Sequence, residues 1–244
     1  FEGSPVTKVR LQEKKGLLEI SSHQVEAGKI VLCTNGFEYF SIVNEAGPEI
    51  DTKFHHLVSG RVGYMSGYIE PLNHPPAAIS YLPEETNSNS DPTGASYFYL
   101  TRRPYEHKSG IAHNLICVGG PDKVLADGAK YSKKAVYEES VKSTIDIFLR
   151  KNYNKYPKKE TKFSFFWHGL MGYTPNGIRR VGVEPLNSVL LYNLGCNGVG
   201  ILPSIFGGRR IARLLNGEKL EKSIFDPRNT ISSGRSDDEG IVIT

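Results

Sequence analysis

A mixed α/β fold of the α+β kind is what this sequence predicts, and three features carry the prediction. Apolar runs of strand length, separated by glycine- and proline-marked turns, fill most of residues 5–120. One long stretch, residues 131–152, has the apolar spacing of an amphipathic helix. A second helical pattern follows three closely set glycines, Gly195, Gly198 and Gly200. A block of strands with one long helix against it is the α+β pattern.

The first unit, residues 5–32, reads as three antiparallel strands. Val6, Val9 and Leu11 form one apolar set, Lys14-Lys15-Gly16 turns, and Leu17-Leu18-Glu19-Ile20 follows. Lys29-Ile30-Val31-Leu32-Cys33, a buried type of strand, makes the third and runs into Thr34-Asn35-Gly36-Phe37. Residues 57–71 form a long strand interrupted by glycines, residues 77–82 another, and 84–94 an exposed loop. Residues 97–101 and 115–120 are strands. The long helix carries Ala135, Val136, Val141, Ile145, Phe148 and Leu149 on one stripe and ends at Tyr156-Pro157.

An aromatic, glycine-spaced segment follows, Phe163 to Gly182, with a Thr174-Pro175-Asn176-Gly177 turn at its middle. The apolar run from Leu190 then enters Gly195-Cys-Asn-Gly198-Val-Gly200 and a helix stopped at Gly217. In that helix Ile205, Ala212 and Leu215 are spaced for one face, and Ile201, Ile211 and Leu214 lie close by. A strand feeding a glycine turn and then a helix leaves backbone N–H groups open to an anion or a carbonyl oxygen. Taken alone, the segment is equally a tight turn without a ligand.

Composition limits the function. The 244 residues, 39% hydrophobic and 10% aromatic, suffice for a packed core in one large domain or two small ones. The net charge is +4, with no Lys/Arg block interleaved with aromatics, so no nucleic-acid partner is expected. Cys33, Cys117 and Cys196 form neither a disulfide framework nor a CxxC site, which favours a reducing compartment, the cytoplasm. No apolar run has membrane-spanning length. The seven histidines lack HxxxH or HExxH spacing, so no metal is expected. Gly63-Tyr-Met-Ser66-Gly67 lacks the spacing of a nucleophile elbow, and no P-loop or early GxGxxG is present.

Lys29 to Phe37, Arg61 to Pro71, Ile116 to Gly120, Trp167 to Gly182 and Leu190 to Gly217 together resemble FAD-dependent oxidoreductases of the D-amino-acid oxidase superfamily, which includes glycine and sarcosine oxidases. The resemblance covers nearly residues 1–227 and corresponds to the C-terminal two-thirds of such enzymes. It implies a partial FAD-binding domain (1–56 and 161–227), an antiparallel-sheet substrate domain with one long helix (57–160) and a polar tail (228–244). The family's amino-terminal GxGxxG unit is absent from this chain, which opens at Phe1, so a fragment is expected. Tight FAD binding and activity are then expected only with that segment present.

The resemblance further implies oxidation of an amine or amino acid by hydride transfer to flavin N5. It assigns Thr34, Asn35, Gly36, Gly172, Gly195, Asn197, Gly198, Val199, Gly200 and Ile201 to the cofactor. Amides of residues 198–201 would face the charge that develops near flavin N1 and C2. Tyr173 would line the flavin or the substrate. His168 is either a catalytic residue or a satisfied structural histidine. Arg61, Tyr64, Tyr99 and Arg102 are assigned to the substrate, an arginine there pairing with a carboxylate, while strand packing is the alternative for each tyrosine. Arg179-Arg180 reads as a solvated turn pair. Met171 lies where sarcosine oxidases attach flavin through Cys, which implies non-covalent FAD. Cys117 lies near their oxygen-activating Lys, which leaves oxidase against dehydrogenase open, as is a homo-oligomer. A different class, a non-catalytic domain that recognises a small ligand or another protein, competes with this reading.

Overall fold

The computed structural model describes residues 1–35, 39–81, 97–106, 110–126, 130–153 and 160–230. Its elements are mixed α and β, and the chain divides into two compact units. Phe1–Gly60 and Met171–Thr244 make the first; Arg61–Leu170 make the second. The expected loop at 84–94, the Tyr156-Pro157 helix stop, Gly36 and most of the polar tail lie outside the described residues.

Unit 1 contains two sheets. In the first, β1 (Lys8–Leu11), β2 (Gly16–Ile20) and β3 (His23–Ala27) are successive antiparallel strands, and β5 (Ser41–Asn44) joins β1 in parallel. The third antiparallel strand is therefore β3, not the Lys29–Cys33 run. His-Gln-Val-Glu-Ala gave no apolar signal because it is an exposed edge, with Val25 45% accessible. The buried run instead forms β4 (Ile30–Leu32), which pairs in parallel with β12 (Leu190–Leu194), Val31 opposite Leu191. Ile30 and Leu32 are buried in one core while Val31, on the opposite face, packs against another, as suits a parallel strand covered on both faces.

β12 also pairs antiparallel with β11 (Arg180–Val183), and all five of its residues are buried. Leu190, Tyr192 and Leu194 pack with Val9, Leu11 and Phe54 in one core. At about 1.5–3 kcal/mol per fully buried large apolar side chain, this strand is a main anchor of the unit. Phe54 lies on α1 (Asp51–Leu57), a short helix without a strong periodic signal, tied by Asp51 Oδ1 accepting the Ile42 N–H at 2.6 Å.

The helix after the glycine turn, α3 (Ile201–Leu215), forms as expected but buries a different face. Gly207 and Ile211 are buried, whereas Ile205, Ala212 and Leu215 are exposed. The missing Cβ of Gly207 decides this. An added methyl would sit 2.2 Å from Asn193 Oδ1, so only that stripe lets the helix approach β12 closely.

Unit 2 is built on a five-stranded sheet in the order β10 (Phe165–Tyr173), β6 (Ser59–Pro71), β9 (Ala112–Val124), β8 (Phe98–Glu106), β7 (Ala77–Tyr81). Helix α2 covers one face, with Val141, Ile145 and Leu149 packed on Tyr64, Tyr68, Ile116 and Val118. It spans Glu139–Asn152, eight residues shorter at its start than the 131–152 expectation. Side-chain bonds hold the preceding segment to the sheet instead. Tyr137 Oη and Ser66 Oγ share a hydrogen bond at 2.9 Å, Glu138 accepts from Tyr64 Oη at 2.9 Å, and Val136 is left 88% exposed.

Candidate functional site

The turn from β12 into α3 has three left-handed residues in four positions: Gly195 at φ +84°, Asn197 at +49° and Gly198 at +79°. Asn197, a residue that tolerates this region, organises the turn. Its N–H donates to Gly172 O at 3.1 Å and its Nδ2 to Gly177 O at 2.9 Å. Its Oδ1 accepts both the Thr174 N–H at 2.8 Å and the Thr174 hydroxyl at 3.2 Å. Gly172 in turn lies against Asn35, since an added Cβ would stand 1.8 Å from the Asn35 carbonyl oxygen. Three segments far apart in sequence, at 35, at 172–177 and at 195–198, thus meet within unit 1. Tyr173 sits among them, half-buried, its carbonyl accepting from Ser59 Oγ at 3.2 Å.

The start of α3 is uncapped. Gly200 occupies the N-cap with no side-chain bond, and no acidic residue lies in the first turn. Of the four amides assigned to the cofactor, that of Val199 is used inside the turn, donating to Cys196 O at 3.0 Å. Pro203 has no N–H to leave unpaired.

Arg179 and Arg180 overturn the expectation of a solvated pair, being 5% and 4% exposed. Arg179 donates from Nε to Asn193 Oδ1 at 2.9 Å, from Nη1 to Gly195 O at 2.8 Å and from Nη2 to Asn193 O at 3.2 Å. Arg180 Nε is buried without a hydrogen-bond partner, as is Thr34 Oγ1. Neither arginine pairs with a carboxylate among the described residues. Burial lowers the pKa of both guanidinium groups, yet an arginine remains charged at neutral pH. One signal was available: Ile178-Arg-Arg-Val181 sits between apolar residues at the mouth of a strand, where alternation turns one of two neighbours inward.

In unit 2 the sheet separates the expected substrate residues by face. Tyr64 is on the α2 side, bonded to Glu138, and its hydroxyl is pushed up to about 12, mainly by burial and then by that carboxylate. Arg102 is also committed structurally, from Nε to Pro75 O and from Nη1 to Tyr153 Oη, both at 2.7 Å. Arg61 pairs with Asp122 at 3.1 Å. Tyr64 and Arg102 therefore both lie on the face that α2 covers, because successive strand residues face opposite ways. Tyr99 points to the other face, its hydroxyl on Met65 Sδ at 2.9 Å.

That face holds a cavity of about 450 Å³ lined by Arg103, Tyr105, Cys117, Phe165 and Trp167 among others. The thiol of Cys117 is raised by burial, against the opposing pull of Arg103 and Thr101. Arg103, next to Arg102 in sequence, lines this cavity and is not among the residues assigned from the sequence. His168 has both ring nitrogens engaged, Nδ1 with Tyr131 Oη at 3.1 Å and Nε2 with Ala135 O at 2.9 Å. These bonds fasten residues 131–135 to β10, as a structural histidine does.

Residues 1–214 match the family model DAO, described as FAD dependent oxidoreductase. The chain belongs to this family. Solved structures that resemble it include glycine oxidase from Bacillus cereus ATCC 14579 (17% identity, TM-score 0.59, 90% of this chain and 51% of that one). Others are glycine oxidase from Geobacillus kaustophilus (12%, 0.53, 93% and 52%) and iminodiacetate oxidase from Chelativorans sp. BNC1 (14%, 0.56, 91% and 51%). At such identities the likeness is one of fold, and the chain spans about half the length of these proteins. No curated protein matches it.

The DAO-family cofactor is FAD, and unit 1 has features that fit such a group. Among the described residues two buried cations stand without acids, Arg180 Nε and Thr34 Oγ1 are buried without a hydrogen-bond partner, and a helix begins uncapped. Among the described residues no three His, Cys, Asp or Glu side chains gather as a metal site would require, and no helix is long and apolar enough to cross a membrane.

Proposed function

We propose that this chain forms part of an FAD-dependent oxidoreductase that oxidises an amine or amino acid. One observation carries the reading: Asn197 joins Gly172, Thr174 and Gly177 to the uncapped start of α3, beside a buried guanidinium. FAD, when bound, would accept at N5 a hydride from the carbon bearing the substrate nitrogen. Unit 1 is the cofactor side, with Thr34, Asn35, Gly172, Gly195, Asn197, Gly198, Gly200 and Ile201 against it and Tyr173 at its edge. The helix-start amides would oppose negative charge where it develops.

Unit 2 is the substrate side, and its functional face is the one opposite α2. There Arg103 would pair with a substrate carboxylate, and Phe165, Trp167 and Tyr105 would exclude water around the reacting carbon. Tyr99 shares that face. Cys117, raised by burial, serves as a neutral lining group and not as a nucleophile. FAD is held without a covalent bond, because Met171 occupies the neighbourhood where a cysteine would be needed. Tight FAD binding requires a further segment for the adenosine and pyrophosphate. Three free cysteines support a reducing, cytoplasmic location.

Absorbance of the purified full-length gene product tests the reading first: flavin bands are expected. Reduction of a dye acceptor should then appear with at least one member of a panel of amino acids and polyamines. A product without flavin bands even after added FAD would refute it.

A further inference from the structure

We propose that Arg179 sets the electrostatic potential of the flavin-side turn, a positioning role that rests on reading unit 1 as the cofactor side. Three of its five N–H groups are used, all on neutral acceptors. Among the described residues no carboxylate forms an ion pair with it. An uncompensated buried charge is unfavourable, and a neutral amide could bond the same carbonyl groups. The positive charge is thus the property that the hydrogen bonds leave unexplained.

Its placement supplies the explanation. Arg179 grips Gly195 O and Asn193, and Asn193 Nδ2 donates to Ser204 O in the first turn of α3 at 3.2 Å. The guanidinium is therefore connected through one side chain to the helix start, whose dipole has the same sign. The first turn contains no acid to cancel either source. Both favour negative charge on a flavin held at this turn, as a preorganised site should.

The test uses the flavin-loaded full-length protein and two readouts that need no turnover: the midpoint potential of the bound flavin and its dissociation constant for sulfite, which adds negative charge to the ring. Arg179→Gln should shift the two-electron equilibrium at least tenfold toward the oxidised form, about 30 mV, and weaken sulfite at least tenfold. Arg179→Lys, which keeps the charge but not the fork, should stay within about threefold on both. Asn193→Asp should mimic Arg179→Gln by placing a carboxylate on the guanidinium, and it serves where Arg179→Gln does not fold. Wild-type values of both readouts in Arg179→Gln, or in Asn193→Asp as its substitute, would overturn the proposal alone. A wild-type protein that holds no flavin would overturn it together with the reading beneath it.

Discussion

Asn197 Oδ1 receives the Thr174 amide at 2.8 Å and the Thr174 hydroxyl at 3.2 Å, while the same side chain donates to Gly177 O. A single amide group therefore closes the turn before α3 onto the turn after β10. Asn197→Ala removes these bonds and leaves a Cβ residue at φ +49°, for an expected loss of about 2–4 kcal/mol. Asn197→Gly relieves the backbone strain and should lose less, about 1–2 kcal/mol. Urea unfolding of the two variants checks the order, and equal losses would contradict it.

Gly172 and Gly169 lie on the same strand and should respond oppositely. A methyl at Gly172 meets the Asn35 carbonyl oxygen, whereas at Gly169 nothing lies within 4 Å. Gly172→Ala is expected to destabilise by about 2–4 kcal/mol, in the range of overpacking against backbone. Gly169→Ala should be neutral or slightly stabilising, about 0.5 kcal/mol. Thermal melts of both variants make the comparison.

Tyr64 gives the fold an alkaline limit. Its hydroxyl is raised from the ordinary 10 to about 12 by burial and by Glu138. A folded-state value above the unfolded one gives stability that is complete below pH 10 and disappears as pH climbs through about 12. Tyr64→Phe should flatten that part of the stability curve between pH 10 and 12. An unchanged alkaline slope would show that Tyr64 does not carry it.

The opposite faces of Arg102 and Arg103 predict different defects. Arg103→Ala should lower kcat/KM for a carboxylate-bearing substrate about 10- to 100-fold, the worth of a charged hydrogen bond, with little change in the melting temperature. Arg102→Ala frees Tyr153 Oη and Pro75 O and should mainly lower stability, by about 1–3 kcal/mol. Steady-state kinetics beside a melt for each variant tells them apart.

The features legible in the sequence were those written locally. The turn at Gly195–Gly200 needs residues that accept positive φ, and glycine and asparagine announce them. The β12 run and the helix following it have lengths and periods that no neighbour has to supply. For Arg179 and Arg180 the flanking Ile178 and Val181 signalled burial of one neighbour at most, because adjacent charges ordinarily face water and only the packing around β11 encloses both. Which of Arg102 and Arg103 lies beneath α2 depended on the sheet face that helix covers, and α2 begins only at Glu139. β3 escaped notice because an exposed edge strand needs no apolar side chains.

The pairing of β4 with β12 also governs how the molecule can be made. Lys29 Nζ bonds Ser188 O across 159 residues, and Leu190 stands beside Ile30 in the ladder. On a ribosome, the early strands emerge long before their partner. Arg61–Leu170, continuous in sequence, can complete its own contacts during that wait, while the Ile30–Leu32 edge stays open. Nascent chains halted before residue 190 should therefore lean on chaperones that shield bare strand edges, and that dependence should end once β12 is translated.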